Sequence, residues 1–303
     1  ELVALHKAQD DFEGVERALE RGLERAPKSE PLHAERVQWY RQHDAWDKLA
    51  TALCDHAAQL DNAQLAKEQI EQAALLYERE LGDPRRAAET LELATDPTAP
   101  DPEQLAKIAQ FWLSANEPNR ALEHLTRAIE LHGIDDAELG ALFHLRGRLR
   151  LELDPTSVDN INQALGDLGR AAHLNPERAR RDLARALTEK LALLEGQPEE
   201  ATRAERGMTT LDLGRVLGQL DQVDAAVALI TGWVAQNPDD KSAQLELGNL
   251  AAQRQDWATA ADAYCGLVPL SAGEEQLAVV SKLAEACEKL GDPLAAREAL
   301  ELA

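Results

Sequence analysis

The sequence predicts an all-α protein made of short antiparallel helix pairs that follow one another along the chain. Apolar residues recur at the three- and four-residue spacing of an amphipathic helix along most of the 303 residues. Aromatic residues are only 4% of the chain, and Ala and Leu dominate its 44% hydrophobic fraction, which suits thin helical layers. A related pattern returns at steps of about 34 residues, and such a period is typical of a repeat array rather than of a single central core.

The clearest copy of the repeat is Lys241–Leu270. Its helical periodicity breaks at Asp256-Trp257, so we expect two helices there with a turn between them. Leu247 in the first helix is followed thirteen residues later by Ala260 in the second helix. Three steps of 34 residues between copies, and seven gaps of thirteen residues within them, argue against a chance match.

This repeat resembles the tetratricopeptide repeat (TPR), whose pattern is W-x2-L-G-x2-Y…A-x3-F…P. Leu247-Gly248, Ala260 and Tyr264 match that pattern at its spacing. The resemblance implies an α-α superhelix, a right-handed solenoid of TPR-like helix pairs, with a broad role in binding. The family's Trp and Tyr positions are occupied by Gln244 and Ala251.

Eight copies align on the second-helix position that Ala260 occupies. We expect small residues here to let the paired helices approach closely, and a large residue four positions later to fill the space between repeats. The aligned positions are Val15, Leu49, Ala87, Ala121, Ala164, Ala226, Ala260 and Ala296. The large residues that follow are Leu19, Leu53, Leu91, Leu125, Leu168, Ile230, Tyr264 and Leu300.

The turn inside most pairs has an acidic residue followed by Pro or an aromatic residue. Asp can cap the second helix, and Pro suits a first helical turn because its missing N–H is not needed there. We interpret Trp46 and Trp257 as packing over their turns rather than as ligand-binding aromatics. The acidic positions are Asp11, Asp83, Glu117, Asp256 and Asp292.

The regular spacing breaks in three places. Asp96–Pro102 is a proline-rich loop between repeats, and we expect Leu153–Asn160 to lengthen the turn of the fifth pair. The third break separates Ala164 from Ala226 by 62 residues, and Glu177–Leu194 within it has the pattern of an amphipathic helix.

Two arrangements fit this third break: a degenerate repeat, which we favour, or one added helix before a long one. We therefore expect seven recognisable pairs and an irregular eighth between Asn175 and Arg206. The domain assignment is TPR-like repeats over residues 1–174, an irregular helical junction or degenerate repeat over 175–206, and TPR-like repeats over 207–303.

Composition restricts the partners. The net charge of −23, from 32 Lys and Arg against 55 Asp and Glu, argues against nucleic acid and anionic membranes, which need a basic face, and it permits a basic protein. No apolar run is long enough to span a bilayer. Three cysteines without metal spacing suggest a reducing compartment, so we expect a cytoplasmic protein. Because the chain opens and ends inside helical patterns, we expect it to be a piece of a longer protein.

Catalytic motifs are missing from the sequence. It contains no HExxH, G-x-S-x-G, P-loop or dinucleotide-binding glycine pattern, and no two His residues lie four apart. Cys54, Cys265 and Cys287 fall beside or at apolar repeat positions, so we interpret all three as small core residues. We therefore predict a protein that is not an enzyme and that has no cofactor or metal.

One set of polar residues recurs on the first helices, which in TPR proteins line the concave groove. Neutral amides dominate it, and amides can both donate to and accept from the backbone of an extended peptide. Ordinary solvated helix residues are the competing interpretation. The predicted groove residues are Gln38, Arg41, Gln42, Gln72, Arg79, Gln110, Arg215, Gln219, Asn249 and Gln253, with Ser114, Glu285 and Lys289 at related positions.

The sequence thus predicts a non-catalytic scaffold that binds a protein or an extended peptide segment in its groove. The alternative is a regulatory or sensor repeat region of a larger protein whose catalytic domain lies outside this chain. We also expect self-association through the ends of the array, because the apolar face around Leu283, Leu300 and Leu302 has no following repeat to cover it.

Overall fold

The computed structural model describes residues 2–9, 11–96, 99–131, 134–174 and 176–301. These residues form seventeen α-helices and one short 3-10 helix, and no strand is found among them. The helices gather into two compact units, Glu1–Ile134 and Asp135–Ala303. Within each unit a helix packs mainly against the helices before and after it, which is how a solenoid buries its apolar faces. The all-α prediction is confirmed.

Unit 1 consists of four helix pairs. Each first helix lies against its own second helix, and the second helices carry the fully buried residues Leu19, Leu53, Leu91 and Leu125. The bounds are α1 Leu2–Ala8 with α2 Phe12–Arg25, α3 Glu30–Gln42 with α4 Trp46–Ala57, α5 Ala63–Arg79 with α6 Pro84–Ala94, and α7 Pro102–Ser114 with α8 Pro118–Glu130.

Unit 2 consists of four further pairs and one unpaired helix, α11, which packs between α10 and α12. A 3-10 turn, Val268–Leu270, follows α15. The bounds are α9 Asp136–Leu153 with α10 Val158–Leu174, α11 Pro176–Glu195, α12 Glu199–Gln219 with α13 Val223–Gln236, α14 Lys241–Gln253 with α15 Trp257–Leu267, and α16 Glu274–Leu290 with α17 Pro293–Glu301.

The fifth pair corrects one expectation. Leu153–Asn160 does not form a long turn, because α9 continues to Leu153 and α10 already begins at Val158. The additional residues lengthen the two helices, which have 18 and 17 residues, and the turn itself is short. Leu151, close to this turn, is only 2% exposed, so the longer helices still bury their apolar stripe.

The stretch expected as an irregular eighth pair consists of α11 and the first turns of α12. These bounds match the arrangement that we did not favour, one added helix before a long one. Asn175 lies outside the described residues, as do Pro97 and Thr98 of the loop before α7. The division of the chain at residues 174 and 206 stays a prediction.

Close packing inside a pair depends on missing side chains, as the repeat pattern predicts. A Cβ added at Gly248 would come within 2.3 Å of the Tyr264 ring, and one at Gly214 within 2.5 Å of Ile230. Ala260, on the same helix as Tyr264, is completely buried. The first helix of each of these pairs therefore lies directly against the large residue of the second helix.

The turns inside the pairs share a backbone feature that the sequence pattern does not reveal. Six of them contain one residue in the left-handed region, with φ between 52° and 81°. In three of these turns the next residue is an Asp that caps the second helix as expected; for example, Asp256 Oδ1 accepts from the Thr259 N–H at 3.2 Å. Glu117, also expected as a cap, makes no side-chain bond to its helix. The left-handed residues are Asp44, Gly82, Asn116, Asp221, Gln255 and Gly291.

Two of the expected core positions are exposed. Cys265 lies on the surface, whereas Cys287 is buried and Cys54 is half-buried, so the interpretation of all three as core residues is wrong for Cys265. It follows Tyr264 directly, and consecutive helical residues point about 100° apart. Leu300 is 53% exposed, and Leu302 lies outside the described residues.

Candidate functional site

An open groove in unit 1 brings together three of the predicted groove residues: Arg41, Gln72 and Arg79. We call it the Arg41–Arg79 groove. It has a volume of about 460 Å³ and lies between the C-terminal end of α3, the middle of α4 and the second half of α5. It is lined by Arg41, Leu53, Gln72, Leu75, Leu76, Arg79 and Glu80.

Helix α5 supplies most of the lining because of its length and pattern. It has 17 residues, and Gln72 and Arg79 are seven residues apart, which is two helical turns and places them on one face. Leu75 and Leu76 lie between them on the same side. The opposite face of α5 is buried through Ala73, Ala74 and Tyr77 and so fixes the helix against the core.

The two guanidinium groups of the groove are exposed and available. In the part of the chain that the structure describes, neither Arg41 nor Arg79 has a carboxylate oxygen within 4.0 Å. Arg86 is different: it lies in the same unit and pairs with Asp47 at 3.0 Å. Glu80 also lines the groove, so its charge is mixed but predominantly positive, within a chain whose net charge is −23.

The groove also has an apolar surface. Leu75 is 38% exposed although it lies in the middle of a helix, and Leu76 is half-buried beside it. Leu53, 1% exposed, closes the bottom. A ligand with both an apolar and an acidic side chain could therefore bury the first on α5 and pair the second with an arginine.

The other predicted groove residues are not gathered with these three. Arg215 on α12 is already paired, donating to Asp212 at 3.2 Å and to Glu246 of the next first helix at 3.3 Å. The remaining amides are exposed on their own helices: Gln38, Gln42, Gln110, Gln219 and Gln253. A continuous row of amides stays a prediction.

The side chain of Asn249 forms hydrogen bonds within the fold. Its Oδ1 accepts from the Tyr264 hydroxyl at 3.1 Å and from Lys282 Nζ at 2.7 Å. Tyr264 belongs to the same pair and Lys282 to the next first helix, so this amide connects consecutive repeats. Its carbonyl oxygen is thus already occupied without any ligand.

Sequence reasoning missed four of the seven lining residues as members of the groove: Leu53, Leu75, Leu76 and Glu80. Leu75 could have been found, because it extends the apolar stripe of α5 beyond the face that contacts α4 and α6. Glu80 lies just after the end of α5, where the direction of the chain is set by the turn and not by helical spacing.

Two histidines of unit 1 form a second polar cluster that the sequence did not predict. The rings of His33 and His56 stack with centroids 4.4 Å apart. His33 Nε2 donates to the Pro27 carbonyl oxygen at 2.7 Å. Burial lowers the pKa of His56, and the neighbouring His33 ring lowers it further, while Glu30 raises it.

Neither a metal site nor a membrane segment is found among the described residues. No group of three or more His, Cys, Asp or Glu side chains is placed to hold a metal ion. None of the described helices combines the length and the apolar content needed to span a bilayer.

The repeating unit has the helix order, the close contact at Gly248 and Tyr264, and the capped turn that the sequence motif requires. The Arg41–Arg79 groove opens between α3, α4 and α5, each of which supplies part of its lining.

Comparison with solved structures finds chains of low sequence identity, among them two TPR proteins. A TPR protein from Parabacteroides merdae is 14% identical, with a TM-score of 0.39 over 84% of this chain and 97% of that one. The C-terminal part of a TPR protein from Cytophaga hutchinsonii is 12% identical, with a TM-score of 0.41 over 91% and 97%. MamA from Desulfovibrio magneticus is 18% identical, with a TM-score of 0.28 over 66% and 91%. No protein-family model and no curated protein matches the sequence.

Proposed function

We propose that this chain is a non-catalytic scaffold that binds an extended segment of a partner protein in the Arg41–Arg79 groove. The observation that carries the proposal is the pair of unpaired guanidinium groups beside an exposed leucine. Side chains in such positions contribute little to folding, because they neither complete an ion pair nor bury their apolar surface. They are available for a ligand.

The groove can recognise a segment through three kinds of contact. Arg41 and Arg79 can bind carboxylates with two parallel hydrogen bonds each, which fixes direction as well as charge. The Gln72 amide can donate to and accept from the backbone of the segment. Leu75 and Leu76 can cover an aliphatic side chain of the segment. Full burial of one such side chain contributes about 1.5–3 kcal/mol to the free energy of binding.

A selection from a random peptide library displayed on phage tests this proposal. The full chain is immobilised, and the selected peptides are then tested on the double variant Arg41→Glu with Arg79→Glu. We expect peptides that contain both acidic and large aliphatic residues, and we expect their binding to the double variant to be lost.

The matched control is Arg21→Glu with Arg25→Glu, which makes the same charge change on the exposed face of α2 in the same unit. Binding should be retained there. Selected acidic and aliphatic peptides that bind both double variants as well as the parent would show that the groove is not the site, and a selection without enrichment of such peptides would contradict the proposal.

A further inference from the structure

A second pocket, in unit 2, is independent of the Arg41–Arg79 groove. It lies between the N-terminal half of α12 and the turn from α13 to α14, and its volume is about 430 Å³. Helix α12 has 21 residues where the equivalent α14 has 13, and its additional N-terminal turns form one wall. We call it the Trp233 pocket, after the half-buried indole that forms the opposite wall.

The indole of Trp233 is held in place from two sides. Its Nε1 donates to Asp240 Oδ2 at 2.9 Å, while Oδ1 of the same carboxylate accepts from the Ala243 N–H at 3.1 Å and caps α14. On the other side the ring rests on the backbone of Gly207, where an added Cβ would lie 2.9 Å from Cζ2. A glycine inside a helix costs roughly 1 kcal/mol relative to Ala, and here it makes room for the ring.

The rim of the pocket is also fixed before any ligand arrives. Arg203 Nε donates to Asn237 Oδ1 at 2.6 Å, and its second nitrogen donates to Asp239 at 3.0 Å. Asn237 is 3% exposed and donates from Nδ2 to the Trp233 carbonyl oxygen at 3.1 Å. These bonds tie the turn to both helices, and a site that is rigid in advance loses less entropy on binding.

The surface offered by this rigid frame is apolar. Met208, the only methionine in the sequence, is 67% exposed at the edge of the pocket. Leu211 is buried below it. Methionine adapts its shape to different partners, and Met and Trp are both enriched in protein interfaces.

The charges around the apolar surface are mainly negative. Glu200, Asp239 and Asp240 line the pocket, and Arg203 is the only cation among the lining residues, already engaged by Asp239. Lys241, next in sequence to Asp240, pairs with Glu275 of α16. The field at the pocket therefore favours a cationic ligand, and the acidic chain as a whole attracts one.

We propose that the Trp233 pocket binds a basic segment of a partner protein, which inserts one large apolar or aromatic side chain between Trp233 and Met208. Lysine or arginine residues on either side of this anchor interact with Glu200 and Asp239. The site is distinct in its residues and in its charge from the Arg41–Arg79 groove.

The single methionine permits a direct test. The full chain is labelled with methyl-13C methionine, any initiator methionine is removed, and the one methyl resonance is followed during titration. The probe is a short synthetic peptide with a central Phe flanked by lysines. We expect it to shift the Met208 signal and to saturate, while a peptide with Gly in place of Phe binds about tenfold more weakly.

A variant comparison separates the pocket from general charge attraction. Met208→Gln should weaken the Phe peptide about tenfold, measured by fluorescence anisotropy of the labelled peptide. Leu277→Gln, which changes another exposed apolar residue of unit 2, should leave the affinity unchanged. Glu200→Lys should weaken binding and reduce its dependence on salt.

Several results would overturn the proposal. They are no shift of the Met208 methyl signal with the Phe peptide, equal affinity of the Phe and Gly peptides, and an unchanged affinity of Met208→Gln. A glutamate-flanked peptide that shifts the Met208 signal as strongly as the lysine-flanked one would assign the pocket an acidic partner instead and refute the charge argument.

Discussion

The ring of Tyr264 lies directly on the backbone of Gly248, so close that a Cβ at Gly248 would come within 2.3 Å of it. The hydroxyl of the same tyrosine donates to Asn249, which also accepts from Lys282 of the following first helix. Tyr264 therefore closes its own helix pair, and Asn249 connects that pair to the next. Stability in this part of the array depends on this contact.

Gly248→Ala should destabilise the protein. The new methyl group meets a ring that is 3% exposed and has little space to move, and overpacking of this kind costs about 1–3 kcal/mol. Urea unfolding followed by circular dichroism measures the change. Gly232→Ala on α13 is the control: no atom lies within 4 Å of its added Cβ, so it should stabilise by roughly 0.5–1 kcal/mol. If the free energy of unfolding changes in the same direction in both variants, the close contact between Gly248 and Tyr264 is contradicted.

Gln255→Gly should stabilise the turn between α14 and α15. Gln255 has a φ of 64°, and the left-handed region costs a residue with a side chain about 1–2 kcal/mol. Glycine also gives the unfolded chain more conformational freedom, which offsets part of this stabilisation. We therefore expect the free energy of unfolding to rise by up to about 1 kcal/mol.

The reciprocal change tests the same turn geometry. Gly291 has a φ of 81° and open space around it, so Gly291→Ala should lose about 1–2 kcal/mol through backbone strain alone. Both values come from chemical unfolding of the full chain. A loss with Gln255→Gly, or no loss with Gly291→Ala, would refute left-handed turns.

Unit 1 should lose stability as the pH falls through the range of histidine titration. Burial and the stacked His33 hold the pKa of His56 below the ordinary value for histidine, which is about 6.5. A group whose pKa is lower in the folded state favours folding in its neutral form. That contribution is fully present above the unfolded value and is lost as the pH falls through the folded pKa.

The variant His56→Gln isolates this effect from the titration of carboxylates. Urea midpoints of parent and variant, measured at about pH 7.5 and about pH 5, should differ in their pH dependence, with the variant losing less stability. If the parent and the variant lose the same stability between the two pH values, the stacked histidine pair does not titrate in that range.

Asp167→Asn should be among the most damaging single changes. Asp167 is 3% exposed and accepts from Arg146 at 2.8 and 2.7 Å and from Arg150 at 2.5 Å. Removing the charge leaves buried guanidinium groups without a counter-ion, and breaking a buried pair costs about 3–5 kcal/mol. Asp212→Asn breaks an exposed pair with Arg215 and should cost at most about 1 kcal/mol. Similar losses of stability in the two variants would contradict the burial of the Asp167 ion pairs.

The helix pairs could be predicted from the sequence because each depends on residues close together in the chain. Gly248 and Tyr264 lie on two consecutive helices joined by one short turn, so helical spacing on either side of that turn is enough to bring them together. The lengths of α9 and α10 could not be predicted in the same way. Residues 154–157 are enough for the turn there, and whether Leu153 and Val158 continue as helix depends on neighbouring helices that bury Leu151.

The site was less predictable than the fold for a related reason. Helical spacing placed Arg41, Gln72 and Arg79 on first helices, but their gathering in one groove depends on how α3, α4 and α5 pack. The same spacing selected Asn249, whose amide oxygen is used by Tyr264 and Lys282. Sequence periodicity shows which residues share a helix face and does not show which of them already have partners.

The most direct test of the central proposal is a calorimetric titration of the Arg41–Arg79 groove with a synthetic peptide of alternating Leu and Glu. The parent chain should bind it, and Arg41→Glu with Arg79→Glu should weaken binding by about tenfold or more, because hydrogen bonds to charged groups contribute about 1.5–3 kcal/mol each. The control Arg21→Glu with Arg25→Glu should keep the parent affinity, and a peptide of Leu and Gln should bind more weakly than the acidic one. Equal affinity of the acidic peptide for the parent and for the groove variant would contradict the proposed function.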